Sequence, residues 1–149
     1  EYRRQRQMCI RDRDYVATLG LQDRIHLMGM RRDVPNLLAG FDVFALATQQ
    51  EASGTVYVEA QASGLPVIGT DVGGVSEMFR NGETGILVPP KNPQALTEAL
   101  QRLIDDPALR RRMGDAGRKM VWEEAVFSPA RLAETTEAVY WKWLAERAG

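Results

Sequence analysis

Three short apolar runs, separated by stretches of helical spacing, constrain this chain more than anything else in it. Asp42-Val-Phe-Ala-Leu-Ala47 is nearly continuous apolar, as expected of a parallel strand covered on both faces. Pro66-Val-Ile-Gly-Thr70 and Gly85-Ile-Leu-Val-Pro89 repeat the pattern. Between the first two, Thr55 to Ser63 reads as a helix, stopped by Gly64 and then Pro66. Between the last two, Gly74 to Arg80 reads as a short helix released by Asn81-Gly82. This alternation argues an α/β fold, a Rossmann-like parallel sheet with helices on both faces. Such sheets bind ligands at the carboxyl ends of their strands.

The flanks agree. From Glu1 to Leu19, Met8, Tyr15, Val16 and Leu19 keep helical spacing, and Gly20 with Leu21 supplies a C-terminal stop. Arg24 to Gly29 reads as a short strand, and Asp33 to Gly40 as a short helix with Asp33 as N-cap. Downstream, Asn92-Pro93, Asp106-Pro107 and Ser128-Pro129 each open a helix. The first carries Ala95, Leu96, Ala99, Leu100, Leu103 and Ile104 on one face; the last aligns Leu132, Thr136, Val139, Tyr140, Trp143 and Leu144. No repeat or linker interrupts the 149 residues, which amount to a single domain. The chain starts without Met, inside a helix, so it is expected to be a truncated piece that has lost an amino-terminal portion.

Charge excludes some classes. Nineteen Lys and Arg against twenty Asp and Glu give no argument for a nucleic-acid partner. No apolar run approaches the roughly 20 residues of a membrane-spanning helix. A lone cysteine, Cys9, cannot form an internal disulfide and fits a reducing compartment.

The chemistry lies between the first two strands, in Glu51-Ala-Ser-Gly-Thr-Val-Tyr-Val-Glu59, where two carboxylates have seven residues between them. A helix N-terminus has free N–H groups and a partial positive charge, so it suits phosphate. Gly54 allows close approach of a ligand to the backbone, and Ser53 and Thr55 add hydroxyls, which could equally just cap the helix. Glu59, one turn along, could hold a cis-diol such as a ribose, or be a solvated helical acid. Glu51 could bond a sugar hydroxyl or stabilise positive charge developing at an anomeric carbon.

The run from Asp42 to Pro90 resembles the carboxy-terminal domain of the GT-B retaining glycosyltransferases, especially glycosyltransferase family 4. Asp42-Val-Phe, the Glu51/Glu59 pair, Gly64-Leu-Pro66-Val, Gly73-Gly74-Val-Ser-Glu77 and Asn81-Gly82-Glu-Thr-Gly85-Ile-Leu-Val-Pro89 carry the likeness. Pro93-x-Ala-Leu, Asp106-Pro107 and Arg112-Met113-Gly114 extend it. The resemblance implies the carboxy-terminal half of a GT-B fold without its first strands, binding a UDP-, GDP- or ADP-sugar without metal or other cofactor. It implies that Glu51 meets the donor sugar near the reacting carbon and Glu59 the ribose. Ser53, Gly54, Thr55 and Val56 would hold the diphosphate or sugar, and Met30 and Arg31 would lie along the nucleobase. Transfer with retention to a glycan or glycolipid would then need the missing acceptor domain and cations before Glu1. The fragment alone is expected to be inactive. The setting implied is cytoplasmic, at or near the inner face of a membrane. Ala52-Ser53 departs from the family's usual Gly-Phe after the first acid, which leaves the identity of the sugar open.

Two rival functions share parts of the pattern: a sugar-nucleotide 2-epimerase, and a non-catalytic nucleotide-sugar-binding module. Asp12-Arg-Asp14 mimics a metal motif but falls on a helix remote in sequence from the sheet, and His26 alone builds neither a metal site nor a triad. Arg110-Arg111-Arg112 with Arg118-Lys119 reads as a solvated helix face, with contact to anionic lipid as the minor reading. Tyr140 and Trp143 read as the packing face of a terminal helix that is left partly uncovered.

Overall fold

A computed structural model describes residues 2–148, with side chains described from Ile10 to Arg147; Met8 and Cys9 lie outside the described side chains. The chain forms two compact units, Glu1–Val34 and Pro35–Gly149.

The first unit holds helix α1 (Tyr2–Thr18). Gly20, at φ 66°, ends it in a left-handed turn. Its N–H bonds the Ala17 carbonyl, and the N–H of Leu21 bonds that of Val16, closing a Schellman motif. Arg24 to Gly29 is not the expected strand. It has no ladder partner among the described residues, so its apolar side chains stay outside: Ile25, Leu27 and Met28 are all exposed. A strand is held by its neighbour's hydrogen bonds, and apolar alternation alone does not supply one.

The second unit is a parallel three-stranded sheet in the order β1-β2-β3, with β1 Phe44–Leu46, β2 Val67–Thr70 and β3 Gly85–Val88. Phe44 pairs with Val67, and Val67 in turn with Gly85. Helix α2 (Val34–Ala39) precedes β1. Helix α3 (Thr55–Ala62) crosses from β1 to β2, and a 3-10 turn over Val75–Glu77 replaces the longer helix expected between β2 and β3. Helices α4 (Pro93–Asp105), α5 (Pro107–Trp122) and α6 (Pro129–Ala148) follow. Among the described residues no helix is long and apolar enough to cross a membrane.

The central strand β2 is buried throughout and divides two layers by its alternation. Ile68 packs with Val88, Ala99, Leu103, Leu109 and Met113 on the α4 side. Gly69 faces Tyr57, Val75 and Phe79 on the α3 side. Helices thus cover both faces, as the sequence pattern predicts. The edge strand β1 departs from it: Phe44 and Leu46 are half-buried and Ala45 is exposed, because β1 has a neighbour on one side only.

Caps fall where the proline-preceding residues predict. The side chains of Asn92, Asp106 and Ser128 accept from the backbone N–H groups of Ala95, Leu109 and Arg131 at 3.0, 2.8 and 3.2 Å. Ile104 does not join its expected face and is 59% exposed. The apolar side of α6 is exposed along its length, including Tyr140, Trp141 and Trp143. Arg110 turns inward, donating to the Leu103 carbonyl at 2.8 Å, while Arg111, Arg112, Arg118 and Lys119 stay in solvent.

Close approach fixes α5 against α3. A Cβ on Gly114 would lie 2.1 Å from the Gly64 carbonyl oxygen, whereas one on Gly117 would lie 3.0 Å from Gln61 Cγ. Gln61 is fully buried and donates from Nε2 to the carbonyls of Tyr57 and Met78 at 3.2 and 2.9 Å. Gly114→Ala should therefore cost about 1–3 kcal/mol through overpacking. Gly117→Ala should be nearly neutral, its contact offset by a helix-propensity gain of about 1 kcal/mol. Urea denaturation of the two variants reads the difference, and equal midpoints would refute the packing argument.

Candidate functional site

The loop leaving β1 and the turn leaving β2 meet at the carboxyl edge of the sheet. Gly73, at φ 52°, lies so near that an added Cβ would sit 1.9 Å from the carbonyl oxygen of Glu51. The Gly74 N–H bonds the Ala52 carbonyl at 3.2 Å, and a Cβ there would lie 2.5 Å from the same oxygen. Two bare backbone units are required for this approach, which is why the turn reads Gly-Gly. Thr70 strengthens the edge by donating to the Thr48 carbonyl at 2.6 Å.

Glu51 is half-buried there, with Oε1 accepting the Ala52 N–H at 3.1 Å. Helix α3 starts three residues later at Gly54, whose backbone is left-handed (φ 72°, ψ 51°). No side chain caps this helix. Ser53 and Thr55 therefore do not have the capping role open to them in the sequence, and the backbone N–H groups of Thr55 and Val56 carry no bond among the described residues. An uncapped N-terminus beside an exposed Ser53 and Thr55 is suited to an anion. Glu59 is exposed one turn along.

Ser53, Thr55 and Glu59 line one groove of about 830 Å³. Its other wall comes from far along the chain: Trp122 and Phe127 from α5 and the turn after it, Arg131 and Leu132 from α6. Local motifs carry no signal for these residues, because their proximity to α3 is created by chain reversal after α5. Trp122 is oriented by an Nε1 bond of 3.0 Å to the Ala62 carbonyl. Glu51, Gly54 and Val56 do not line this groove. Gly54 is buried and Val56 half-buried.

Met30 and Arg31 belong to the first unit. Met30 is 83% exposed. Arg31 grips Asp33 through Nε and Nη2 at 2.8 and 2.6 Å, which holds the Asp33 carboxyl below the usual range. Asp33 precedes α2 as expected, but its carboxylate is engaged by arginine.

Tyr57 is the residue that motif reasoning passes over. It is fully buried, and its hydroxyl donates to the Leu46 carbonyl at 2.9 Å, at the end of β1. Its ring stands edge-on to Phe44 at 5.6 Å and tilted to Phe79 at 5.5 Å. A Cβ on Gly54 would meet this ring at 2.8 Å and Glu51 Cγ at 3.2 Å, so Tyr57, Gly54 and Glu51 occupy one packed corner. Burial, with the nearby charge of Glu51, pushes the Tyr57 hydroxyl up to about 12.

This raised value makes stability fall with alkali. Between the ordinary value of 10.0 and about 12 the unfolded tyrosine ionises while the folded one stays protonated, so stability is lost as pH rises through that window. Tyr57→Phe should cost about 1 kcal/mol at neutral pH. It should also remove that part of the alkaline decline and one step near pH 12 in the tyrosine absorbance titration. An unchanged titration curve would contradict the assignment.

Comparison with known proteins follows the same residues. The profile of the family described as glycosyl transferases group 1 matches residues 12–120. N-acetyl-alpha-D-glucosaminyl L-malate synthase of Bacillus anthracis is 33% identical over 126 residues, 85% of this chain and 32% of that protein. Sucrose-phosphate synthase from Thermosynechococcus elongatus superposes with a TM-score of 0.76 at 33% identity, covering 91% of this chain and 34% of that one. Anabaena HepE, solved in complex with UDP, gives a TM-score of 0.75 at 29% identity over 85% of this chain and 35% of that one. The chain spans about a third of the length of the curated relatives it matches.

Proposed function

The chain belongs to the glycosyl transferases group 1 family, and from that premise we propose that it binds the nucleotide-diphosphate-sugar donor of a retaining glycosyltransferase. The uncapped, left-handed start of α3, with Glu51 before it and Glu59 one turn into it, carries this reading. HepE of Anabaena, a structural relative, has been solved with UDP and with UDP-glucose, which supports a nucleotide-sugar ligand.

Each group then has a task it can perform. The diphosphate lies against the N–H groups of Thr55 and Val56, which the left-handed Gly54 backbone sets up, and Ser53 adds a hydroxyl. Glu59 accepts both hydroxyls of the ribose. Arg31, whose planar guanidinium is held by Asp33, offers its face to the nucleobase, with Met30 alongside in the chain. Glu51, fixed by the Gly73 contact, bonds the donor sugar and stabilises positive charge developing at its anomeric carbon. Phosphate charge is met by the helix N-terminus and by cations of the complete enzyme, with no metal ion. The complete enzyme passes the sugar, with retention, to a glycan or glycolipid.

The test is direct. Titrating the chain with UDP, GDP and ADP should shift the amides of Met30, Arg31, Gly54, Thr55, Val56 and Glu59, and rank the three bases. Glu59→Ala should weaken nucleotide binding about tenfold, the worth of hydrogen bonds to a charged acceptor. In the complete enzyme Glu51→Ala should lower kcat about a hundredfold with little change in KM. Shifts confined to other residues would overturn the proposal.

A further inference from the structure

The turn between α5 and α6 contributes to the groove wall across from Glu59, and its own backbone holds it poorly. Val126 and Phe127 stand in that wall beside Trp122 and Arg131. Ala125, at φ 50°, occupies the left-handed region where a helix end ordinarily uses glycine, and its Cβ makes that backbone costly. The bond that draws the turn back onto α5, from the Val126 N–H to the Met120 carbonyl, is long at 3.4 Å.

A firmer hold comes from far upstream. Arg80 grips Glu124, the residue just before Ala125, with Nη2 to Oε2 at 2.5 Å and Nη1 to Oε1 at 3.4 Å. Two prongs from a planar guanidinium fix the direction of the carboxylate as well as its distance. They keep the Glu124 carboxyl below the usual carboxylate range. The anchor is itself rigid. The Arg80 N–H bonds the buried Thr84 hydroxyl at 3.0 Å, and its carbonyl accepts from Glu83 and Thr84 at 3.1 and 2.9 Å. Two residues earlier, Met78 lines the same groove, its carbonyl held at 2.9 Å by buried Gln61.

The wall bears on what Glu59 can do. That side chain is exposed, and a carboxylate bonding hydroxyls in open water exchanges one set of hydrogen bonds for another with little gain. Apolar groups fixed in the same groove lower the local dielectric and strengthen those bonds.

We propose that Arg80 is a positioning residue for nucleotide binding: its grip on Glu124 holds the α5–α6 turn in the shape that encloses a nucleotide at Glu59. The proposal rests on the donor reading above.

Arg80 has a second acid partner, Glu83 at 3.1 Å, which ties it to its own turn and not to the groove wall. Glu83→Gln is therefore the control, since it removes an exposed ion pair of Arg80 and leaves the grip on Glu124. In UDP titrations followed by amide shifts, Arg80→Gln and Glu124→Gln should each raise Kd about two- to fivefold. That is the range one exposed ion pair allows when it sets the population of the binding shape. Glu83→Gln should bind as the wild type does. The double variant Arg80→Gln/Glu124→Gln should lose no more than either single one, because the pair acts as a unit. The wild-type advantage should shrink in about 1 M salt, which screens an exposed ion pair. Without ligand, Arg80→Gln should shift the distant amides of Val126 and Phe127, and Glu83→Gln should leave them in place. Wild-type affinity in Arg80→Gln and Glu124→Gln, an equal loss in Glu83→Gln, additive losses in the double variant, or unmoved Val126 and Phe127 would each overturn the proposal. UDP shifts at Gly54 to Glu59 with undiminished affinity in the variants sink the role of Arg80 alone. No UDP shifts there in the wild type sink the donor site, and the role of Arg80 with it.

Discussion

One buried hydroxyl organises the carboxyl edge of this sheet. Tyr57 comes from the first turn of α3, yet it bonds the last carbonyl of β1 and fills the space under Gly54. A short edge strand with one neighbour has little to fix where its following loop goes. The tyrosine supplies that constraint from the helix side, and Phe44 and Phe79 hold its ring. Gly69 is part of the same arrangement, since a Cβ there would lie 2.9 Å from the tyrosine oxygen. Strand end, helix start and Glu51 therefore share one packed corner, and the candidate donor site inherits its shape from it.

That corner also explains why the start of α3 is left uncapped. A capping side chain would take one of the few N–H groups pointing into solvent and would forgo about 1 kcal/mol of stability if absent. The helices opened by Asn-Pro, Asp-Pro and Ser-Pro are capped by Asn92, Asp106 and Ser128. Helix α3 has no side-chain cap, and its start lies at the carboxyl edge between the two acids, where free N–H groups can serve a ligand.

Much of this was legible in the sequence because it is encoded locally. Asn-Pro, Asp-Pro and Ser-Pro mark helix starts, Gly20 marks a helix end, and the apolar density of Val67 to Thr70 marks a central strand. What escaped depends on neighbours. Arg24 to Gly29 has strand-like alternation but no ladder partner among the described residues, and β1 is covered less than its composition suggests because it lies at an edge. Ile104 keeps helical phase with Leu100 and still faces solvent, since α4 packs along a narrower stripe than its apolar residues span. The Glu51/Glu59 spacing and the Gly73-Gly74 turn could each be found by motif. The corner that Tyr57 makes with Gly54 and Glu51 could not, because a buried tyrosine in a helix looks like ordinary core. Nor could the far wall of the groove, whose Trp122, Phe127 and Arg131 arrive from more than sixty positions downstream of Glu59.

The contact between Gly73 and the Glu51 carbonyl has a consequence for how such domains diversify. Two loops that touch backbone to backbone cannot be exchanged as independent cassettes. A transplanted β1 loop with a different path would strike the unchanged Gly-Gly turn, and a turn bearing any side chain would expel the native loop. Recombination or engineering aimed at this edge must therefore move both segments together, with Tyr57 as the footing of the first. Changes confined to Ala52 and Ser53, whose side chains are exposed, leave that junction intact. Variation can accumulate there while the geometry of the edge is inherited unchanged.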